Sequence, residues 1–312
     1  TFSPAADWEF TGGVRASHFA SGNFWRIEPR LSVDYLLAPK VRVQGAYGRY
    51  HQYLTLETSQ LFTGFDTWLT ADDGVPPAYG DQFVVGVKTQ PLPGWDLNVE
   101  GYARTMRDPF LPDVSGVPYA QTFRFGQGGA YGSESLLRRN TGRLSGFLSY
   151  TLGRTERRFP QINVSRGEPQ FYVPKYDRTH DLNLVVNYQL TDAWRLAGIF
   201  SYATGQAYTE PTFRYSLPND PFQSETVSRD VLISPFNGER LPAYHRLDIG
   251  ATRSGRFFGV ADYRYQIQVI NAYSQRNIWF YFFEFEPDGT VTRQEVPQIP
   301  VPIPNLSFSL TF

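Results

Sequence analysis

Large apolar side chains alternate with polar ones through most of this chain. The clearest stretch runs from Asp181 to Leu190, where every second residue is Leu, Val or Tyr and the intervening residues are mostly Asp, Asn or Gln. Because successive strand residues point to opposite faces, this stretch predicts a β-strand with one apolar and one polar face. The final residues, Leu306 to Phe312, repeat the pattern with Leu and Phe against Ser and Thr.

The alternation predicts an all-β protein, with strands near residues 7–18, 25–37, 41–53, 81–90, 95–106, 128–139, 142–154, 178–190, 194–205, 243–253, 258–273 and 304–312. Tight turns rich in turn-forming residues are predicted at 38–40, 91–94, 140–142, 191–193 and 254–256. Between them lie long connections at 54–80, 107–127, 155–177, 206–242 and 274–303.

This alternation of short and long connections predicts the kind of β-fold. Short turns at one end, long loops at the other and an even number of strands are typical of bacterial outer-membrane proteins. The sequence therefore predicts a transmembrane antiparallel up-and-down β-barrel. Trp8, Trp95 and Trp194 each begin a predicted strand at the tight-turn end, which is where an aromatic girdle would meet the membrane interface.

Two other folds compete with this interpretation. One is a soluble β-sandwich, in which the apolar faces would pack against one another. Those faces carry Tyr, Gly and Ala as well as Leu, which favours a lipid-facing wall over a tightly interdigitated core. The other is a self-closing twelve-strand barrel that acts as a passive channel.

Composition narrows the function further. The net charge of −1 gives no reason to expect a nucleic-acid partner, and the absence of Cys excludes disulfides and thiolate metal sites. The most apolar run, Ile278 to Phe283, has six residues, far short of the roughly 18 that a membrane helix needs. The chain opens on Thr1 without a signal peptide, so it reads as a mature or truncated segment.

Five short motifs, spread across about the last 180 residues of the chain, resemble those of TonB-dependent outer-membrane receptors. The run Asn271 to Asn277 is similar to a family motif late in the penultimate strand. The other four are the two strand starts Asp177–Leu182 and Tyr244–Asp248, the Gly132-Ser133-Glu134 segment, and the terminal aromatic residue Phe312.

The resemblance implies that residues 1–312 are the C-terminal portion of a larger barrel, which in this family has about 22 strands. The plug domain and its TonB contact would lie outside this chain. The implied function is energised uptake of a scarce nutrient, such as a ferric siderophore, across the cell outer membrane. The implied partners are outer-membrane lipid and lipopolysaccharide, the barrel-assembly machinery that reads Phe312, TonB acting through the plug, and a small nutrient ligand.

Ligand binding is expected in the long loops and the upper inner wall. Aromatic residues interspersed with Arg suit a bulky anionic or aromatic ligand through stacking and cation–π contact. Packing of the loops on one another is the competing explanation for any one of these side chains. The candidate residues are Phe65, Trp68, Arg158, Tyr172, Tyr176 and Tyr215.

The four histidines do not indicate an enzyme. His180 and His245 lie in the motifs that begin two strands, and the chain has no Gly-x-Ser-x-Gly nucleophile motif. No pair of histidines has zinc spacing, so the sequence predicts no catalytic residue, metal or cofactor.

Overall fold

A computed structural model describes residues 1–57, 67–72, 74–112, 123–217 and 228–312. Twelve strands form one antiparallel sheet, and their order across the sheet is their order along the chain. The strands are β1 (Trp8–Phe19), β2 (Phe24–Ala38), β3 (Val41–Gln52), β4 (Ala78–Thr89), β5 (Trp95–Pro112), β6 (Phe123–Arg139), β7 (Leu144–Arg158), β8 (His180–Gln189), β9 (Trp194–Ala203), β10 (Tyr244–Phe257), β11 (Ala261–Ile270) and β12 (Ile303–Thr311). Each predicted strand overlaps one of them, so the up-and-down architecture is confirmed.

The long connections contain short elements of their own. Pairs of short strands lie at Leu54–Glu57 with Thr67–Thr70, Val164–Ser165 with Glu168–Pro169, Ala207–Tyr208 with Glu239–Arg240, Pro211–Leu217 with Ser228–Ile233, and Asn277–Phe285 with Val291–Gln298. One short 3-10 helix, Ser21–Asn23, joins β1 to β2 at the long-loop end. The described residues contain no helix with the length and apolar character that a membrane crossing would require.

The tight-turn end differs from the prediction at one position. The predicted turn at 254–256 is wrong, because these residues continue β10 and pair with Asp262, Tyr263 and Arg264 of β11. The chain reverses at Phe258 and Gly259, which have φ angles of 47° and 71°. Positive φ at both central residues suits a two-stranded hairpin, because its twist then matches that of the strands.

The strand register places the apolar residues of successive strands on one face. Leu184 of β8 lies opposite Leu148 on one side and Phe200 on the other, and the row continues in both directions. From β5 to β10 this row reads Leu97, Leu137, Leu148, Leu184, Phe200 and Leu247. Many residues of this face are exposed, and most of the buried apolar side chains found in the described residues belong to loops or strand ends.

The opposite face is polar and its groups bond to one another. Gln44 and Asn98 both donate to Oε1 of Glu100, at 2.7 and 2.9 Å. Asn183 donates to Asp181 at 2.7 Å and accepts from Ser201 at 2.9 Å. A wall with one apolar face and one hydrated face is the pattern expected for a wide barrel.

The two edge strands of the sheet do not pair with one another. Among the described residues, β1 pairs only with β2 and β12 only with β11. The interpretation as a self-closing twelve-strand channel is therefore wrong for this chain. A sandwich of two packed sheets is also excluded, because the twelve strands form one continuous sheet.

The three tryptophans at the tight-turn end have cross-strand partners on the apolar face. The Trp8 and Tyr35 ring centroids lie 4.3 Å apart. The guanidinium of Arg139 lies 5.3 Å from the ring centroid of Trp95, and that of Arg253 lies 5.7 Å from the ring centroid of Trp194. These three tryptophans lie at one end of the sheet, as the sequence predicts.

Candidate functional site

A cleft of about 700 Å³ lies at the long-loop end of the sheet. The ends of β3, β4, β5 and β7 form one side of it, and parts of three loops form the other. Tyrosine, tryptophan and phenylalanine side chains contribute much of its lining, and the aromatic set is Tyr50, Trp68, Tyr79, Tyr172, Tyr176 and Phe236.

The cleft is electrostatically positive. Arg104, Arg157 and Lys175 line it, and none of the described lining residues is an Asp or Glu. Arg157 donates through Nη2 to the Tyr176 hydroxyl at 2.8 Å, and its guanidinium lies 5.5 Å from the centroid of the same ring. Its Nε is buried and has no acceptor within the described part of the chain. An anionic group entering the cleft would meet a cation that Tyr176 holds in place.

A smaller cavity of about 330 Å³ shares Arg104, Met106 and Tyr176 with the cleft and adds Glu100 and Glu134. The inner wall therefore changes from cationic in the cleft to acidic in this second cavity.

Buried aromatic side chains hold the loops around the cleft in place. Phe159 is fully buried, and its ring centroid lies 6.3 Å from that of Tyr172. Phe236, from the loop after β9, meets Tyr172 edge to face at 5.0 Å. Tyr172 also exchanges two backbone hydrogen bonds of 2.8 Å with Arg157. This packing ties one wall of the cleft to the end of β7.

Polar contacts join the same two loops. Asn163 donates to the Phe236 carbonyl at 3.1 Å and accepts from the Phe236 amide at 2.7 Å. Arg240 pairs with the buried carboxylate of Asp177 at 2.5 Å, and Asn237 donates to the Val173 carbonyl at 2.9 Å. The loops after β7 and β9 therefore act as one supported platform beside the cleft.

A separate network joins the loop after β9 to the hairpin after β11. Arg293 lies 3.2 Å from Glu210, donates to the Tyr208 hydroxyl at 3.3 Å and lies 4.3 Å from the Tyr281 ring centroid. Burial raises the pKa of Tyr208, and the negative charge of Glu210 adds to this increase. The neutral hydroxyl is therefore a suitable acceptor for Arg293.

The structure brings three of the predicted ligand-binding residues into the cleft. Trp68 is 64% exposed and Tyr176 is 50% exposed, whereas Tyr172 is buried and packs the loops together. Arg158 is not part of the cleft lining, and its guanidinium lies 4.9 Å from the Phe171 ring centroid.

The remaining predicted residues lie elsewhere. Phe65 is outside the described residues, and Tyr215 belongs to the short strand Pro211–Leu217, where it lies opposite Asp230. The terminal Phe312 is 92% exposed beyond the end of β12. Ligand binding by Phe65 and Tyr215 stays a prediction, and so does the role of Phe312 as the barrel-assembly signal.

Five cleft residues were not among the predicted ligand-binding residues, namely Tyr50, Tyr79, Arg104, Lys175 and Phe236. The alternation of apolar and polar residues could have placed Arg104 at the cleft, because Arg104 lies on the same polar face of β5 as Asn98 and Glu100, nearer to the long-loop end. Nothing local to the sequence indicates that Phe236 approaches the end of β7.

Three residues of the receptor-like motifs, His180, His245 and Asn277, form hydrogen bonds within the fold. His180 shares a 2.8 Å hydrogen bond with the Tyr150 hydroxyl, and His245 shares one of 2.7 Å with Tyr273. Asn277 bonds through its amide to both backbone groups of His245, at 3.0 and 2.9 Å. Across the described ranges, no group of three or more His, Asp or Glu side chains could hold a metal ion.

The chain matches one family model and several solved structures. The family model described as TonB dependent receptor-like, beta-barrel, matches residues 1–277. No curated protein matches the chain.

One similar structure is the ferric-catecholate import receptor Fiu from E. coli K12, with a TM-score of 0.62 and 13% identity over 98% of this chain and 43% of that one. The ferripyoverdine receptor of the outer membrane of Pseudomonas aeruginosa matches with a TM-score of 0.60 and 13% identity, over 99% of this chain and 37% of that one. A ferric enterobactin receptor mutant from Pseudomonas aeruginosa matches with a TM-score of 0.56 and 14% identity, over 98% and 43%. The chain spans about two-fifths of the length of these receptors.

Proposed function

Because the chain belongs to the TonB-dependent receptor-like β-barrel family, we propose that it is part of a receptor that takes up a ferric siderophore or a similar scarce nutrient across the outer membrane. The cleft is the observation that carries this proposal. Its three cations and its aromatic lining suit a bulky anionic ligand that carries aromatic rings. Ferric complexes of catecholate siderophores have these properties.

The cell outer membrane is the proposed location. The continuous apolar face, exposed on nearly every strand, supports this location because hydrocarbon would solvate it without cost. The polar inner face supports a hydrated interior through which a released ligand would move. In this account the protein binds and transports, and does no chemistry on its ligand.

The partners follow from the same proposal. Lipid and lipopolysaccharide would surround the apolar face. TonB would act through a plug domain, and the exposed terminal Phe312 would be read by the barrel-assembly machinery. Ligand release would depend on that external work, because this part of the chain has no nucleotide-binding motif of its own.

The adjacent residues Arg157 and Arg158 provide a matched test of the binding site. Arg157 lines the cleft, whereas Arg158 stacks on Phe171 beside it. In the full-length receptor purified from outer membranes, Arg157→Ala should weaken binding of ferric enterobactin or ferripyoverdine by about tenfold or more, because a cation that lines the cleft would be lost. Quenching of tryptophan fluorescence would measure both affinities.

Arg158→Ala should change these affinities by less than about twofold, which is within the range of a surface contact. A larger effect at Arg158 than at Arg157 would place the ligand outside the cleft. If neither ferric complex binds the unmutated receptor, and neither supports growth under iron limitation in a strain that depends on it, the proposed siderophore function is wrong.

A further inference from the structure

A second concave surface, which we call the outer trough, lies on the apolar face across β4, β5, β6 and β7. Its volume is about 650 Å³. Gly101 and Ala103 of β5 form its floor. Four larger side chains, each more than two-fifths exposed, stand on either side of the floor as walls, namely Phe83, Val85, Tyr131 and Leu152.

The outer trough is open because its floor has almost no side chain. A Cβ placed on Gly101 would meet its nearest neighbours, one of them Val85, only at 3.9 Å. On the opposite face, Tyr102 lies across Gly132 and Gly153, where an added Cβ would come within 2.8 Å of its hydroxyl. Tyrosine therefore covers the glycines on the inner side, and the outer side keeps an unfilled apolar depression.

A cation lies at the long-loop end of this depression. Arg154 of β7 lines the outer trough and is just over half exposed. Its Nε donates to Glu156 at 2.6 Å, which leaves Nη1 and Nη2 without an acceptor among the described residues. Arg154 is ten residues beyond Leu144, the first residue of β7. Ten residues span ~34 Å of strand, which is ~26 Å along the axis of a barrel whose strands are tilted by about 40°. The apolar band of such a barrel is about 25 Å tall, so Arg154 lies at its outer edge, at the level of the lipid headgroups.

We propose that the outer trough binds one acyl chain of a phosphorylated lipid in the outer leaflet, with the lipid phosphate on Arg154. This inference rests on the proposed membrane location. An apolar depression with a guanidinium at the headgroup level matches a lipid chain hanging from a phosphate, since Arg binds phosphate through two parallel donors. The occupant we assign is lipid A, the phosphorylated and acylated anchor of lipopolysaccharide.

Filling the trough would test its occupancy. Gly101→Leu would place a side chain in the trough without a backbone clash. Gly198→Leu is the matched control, because Gly198 lies on the same apolar face in β9 and a Cβ there meets nothing within 4 Å. Native mass spectrometry of the full-length receptor, extracted from outer membranes in mild detergent and titrated with hexa-acylated lipid A, would measure the bound fraction.

The unmutated receptor and Gly198→Leu should each retain one lipid A, whereas Gly101→Leu should retain about tenfold less, as loss of a buried apolar contact predicts. Arg154→Gln should reduce lipid A binding but leave binding of dephosphorylated lipid A unchanged. Equal retention by the Gly101 and Gly198 variants, or equal binding of phosphatidylethanolamine and lipid A, would overturn the proposal.

Fractionation of the same proteins distinguishes a failure of the trough assignment from a failure of the proposed membrane location. The unmutated receptor and its three variants should all fractionate with outer membranes and keep their affinity for the ferric complexes. Failure of the unmutated receptor to fractionate there would contradict the membrane location itself. Retained fractionation without any bound lipid A would contradict only the trough assignment.

Discussion

Asn271 stabilises the end of β11 through four hydrogen bonds. Its backbone amide donates to Asp248 at 2.9 Å, and its side chain bonds to the Gln275 amide and carbonyl and to the Ile299 carbonyl at 2.8–3.0 Å. It is fully buried with a φ of 55°, a conformation that Asn tolerates better than most residues. One side chain therefore fixes both ends of the long connection to β12.

Asn271→Ala should destabilise the folded barrel by about 2–4 kcal/mol, because buried backbone groups lose their partners and Ala disfavours this backbone conformation. Resistance of the full-length receptor to unfolding in urea, followed by tryptophan fluorescence, would measure the loss. Asn305→Ala, at an exposed position of β12, should have an effect below about 0.5 kcal/mol. Similar losses at both positions would show that the bonds of Asn271 contribute little.

At the scale of strands, the sequence predicts the sheet well because the alternation of apolar and polar residues is a local signal. The choice of face at Leu184, Leu247 or Leu310 follows from alternation alone, and the register places these residues on the same side. The turn at Phe258–Gly259 was misplaced because Ser254-Gly255 is an equally good turn signal, and only pairing with β11 decides between them. At the long-loop end some strands are longer than alternation indicates, as β5 is by reaching Pro112, and others are shorter, as β11 is by ending at Ile270.

The two faces of β8 should differ in their tolerance of charge. Leu184→Arg should cost about 2–4 kcal/mol, because its guanidinium would enter hydrocarbon. Asn187→Arg, on the polar face of the same strand, should cost far less, because water or carboxylates can solvate it there. The fraction of receptor that folds in lipid bilayers across a urea series would give both values. Equal costs would mean that lipid does not cover the leucine face.

At the scale of the whole molecule, the cleft was the part that the sequence predicted least. Asn163 and Phe236 are 73 residues apart, yet their contact supports one wall of the cleft. Loop composition singled out Trp68 and Tyr176, which line the cleft, but the approach of Arg104 and Tyr50 to them depends on how three loops fold together. Such contacts leave no periodic signal in the chain.

The unpaired edges lead to a prediction about residues 1–312 expressed by themselves. In lipid, the free N–H and C=O groups along β1 and β12 would lack partners, which costs several kcal/mol per group in a membrane. These residues alone should therefore give no folded band on unheated SDS gels and no channel conductance in planar bilayers, unlike the full-length receptor. A folded monomeric band with steady conductance from residues 1–312 would revive the self-closing channel.

The hydrogen bonds among polar side chains of the inner face affect how a ligand would move along it. Glu100 already accepts from Gln44 and Asn98, and Asp181, Asn183 and Ser201 satisfy one another. A molecule sliding past would gain little by bonding to groups whose partners are already in place, because each new bond would replace an old one. In the proposed uptake, these two clusters would therefore hold a passing ligand only weakly, and cargo freed at the mouth would descend past them without being trapped.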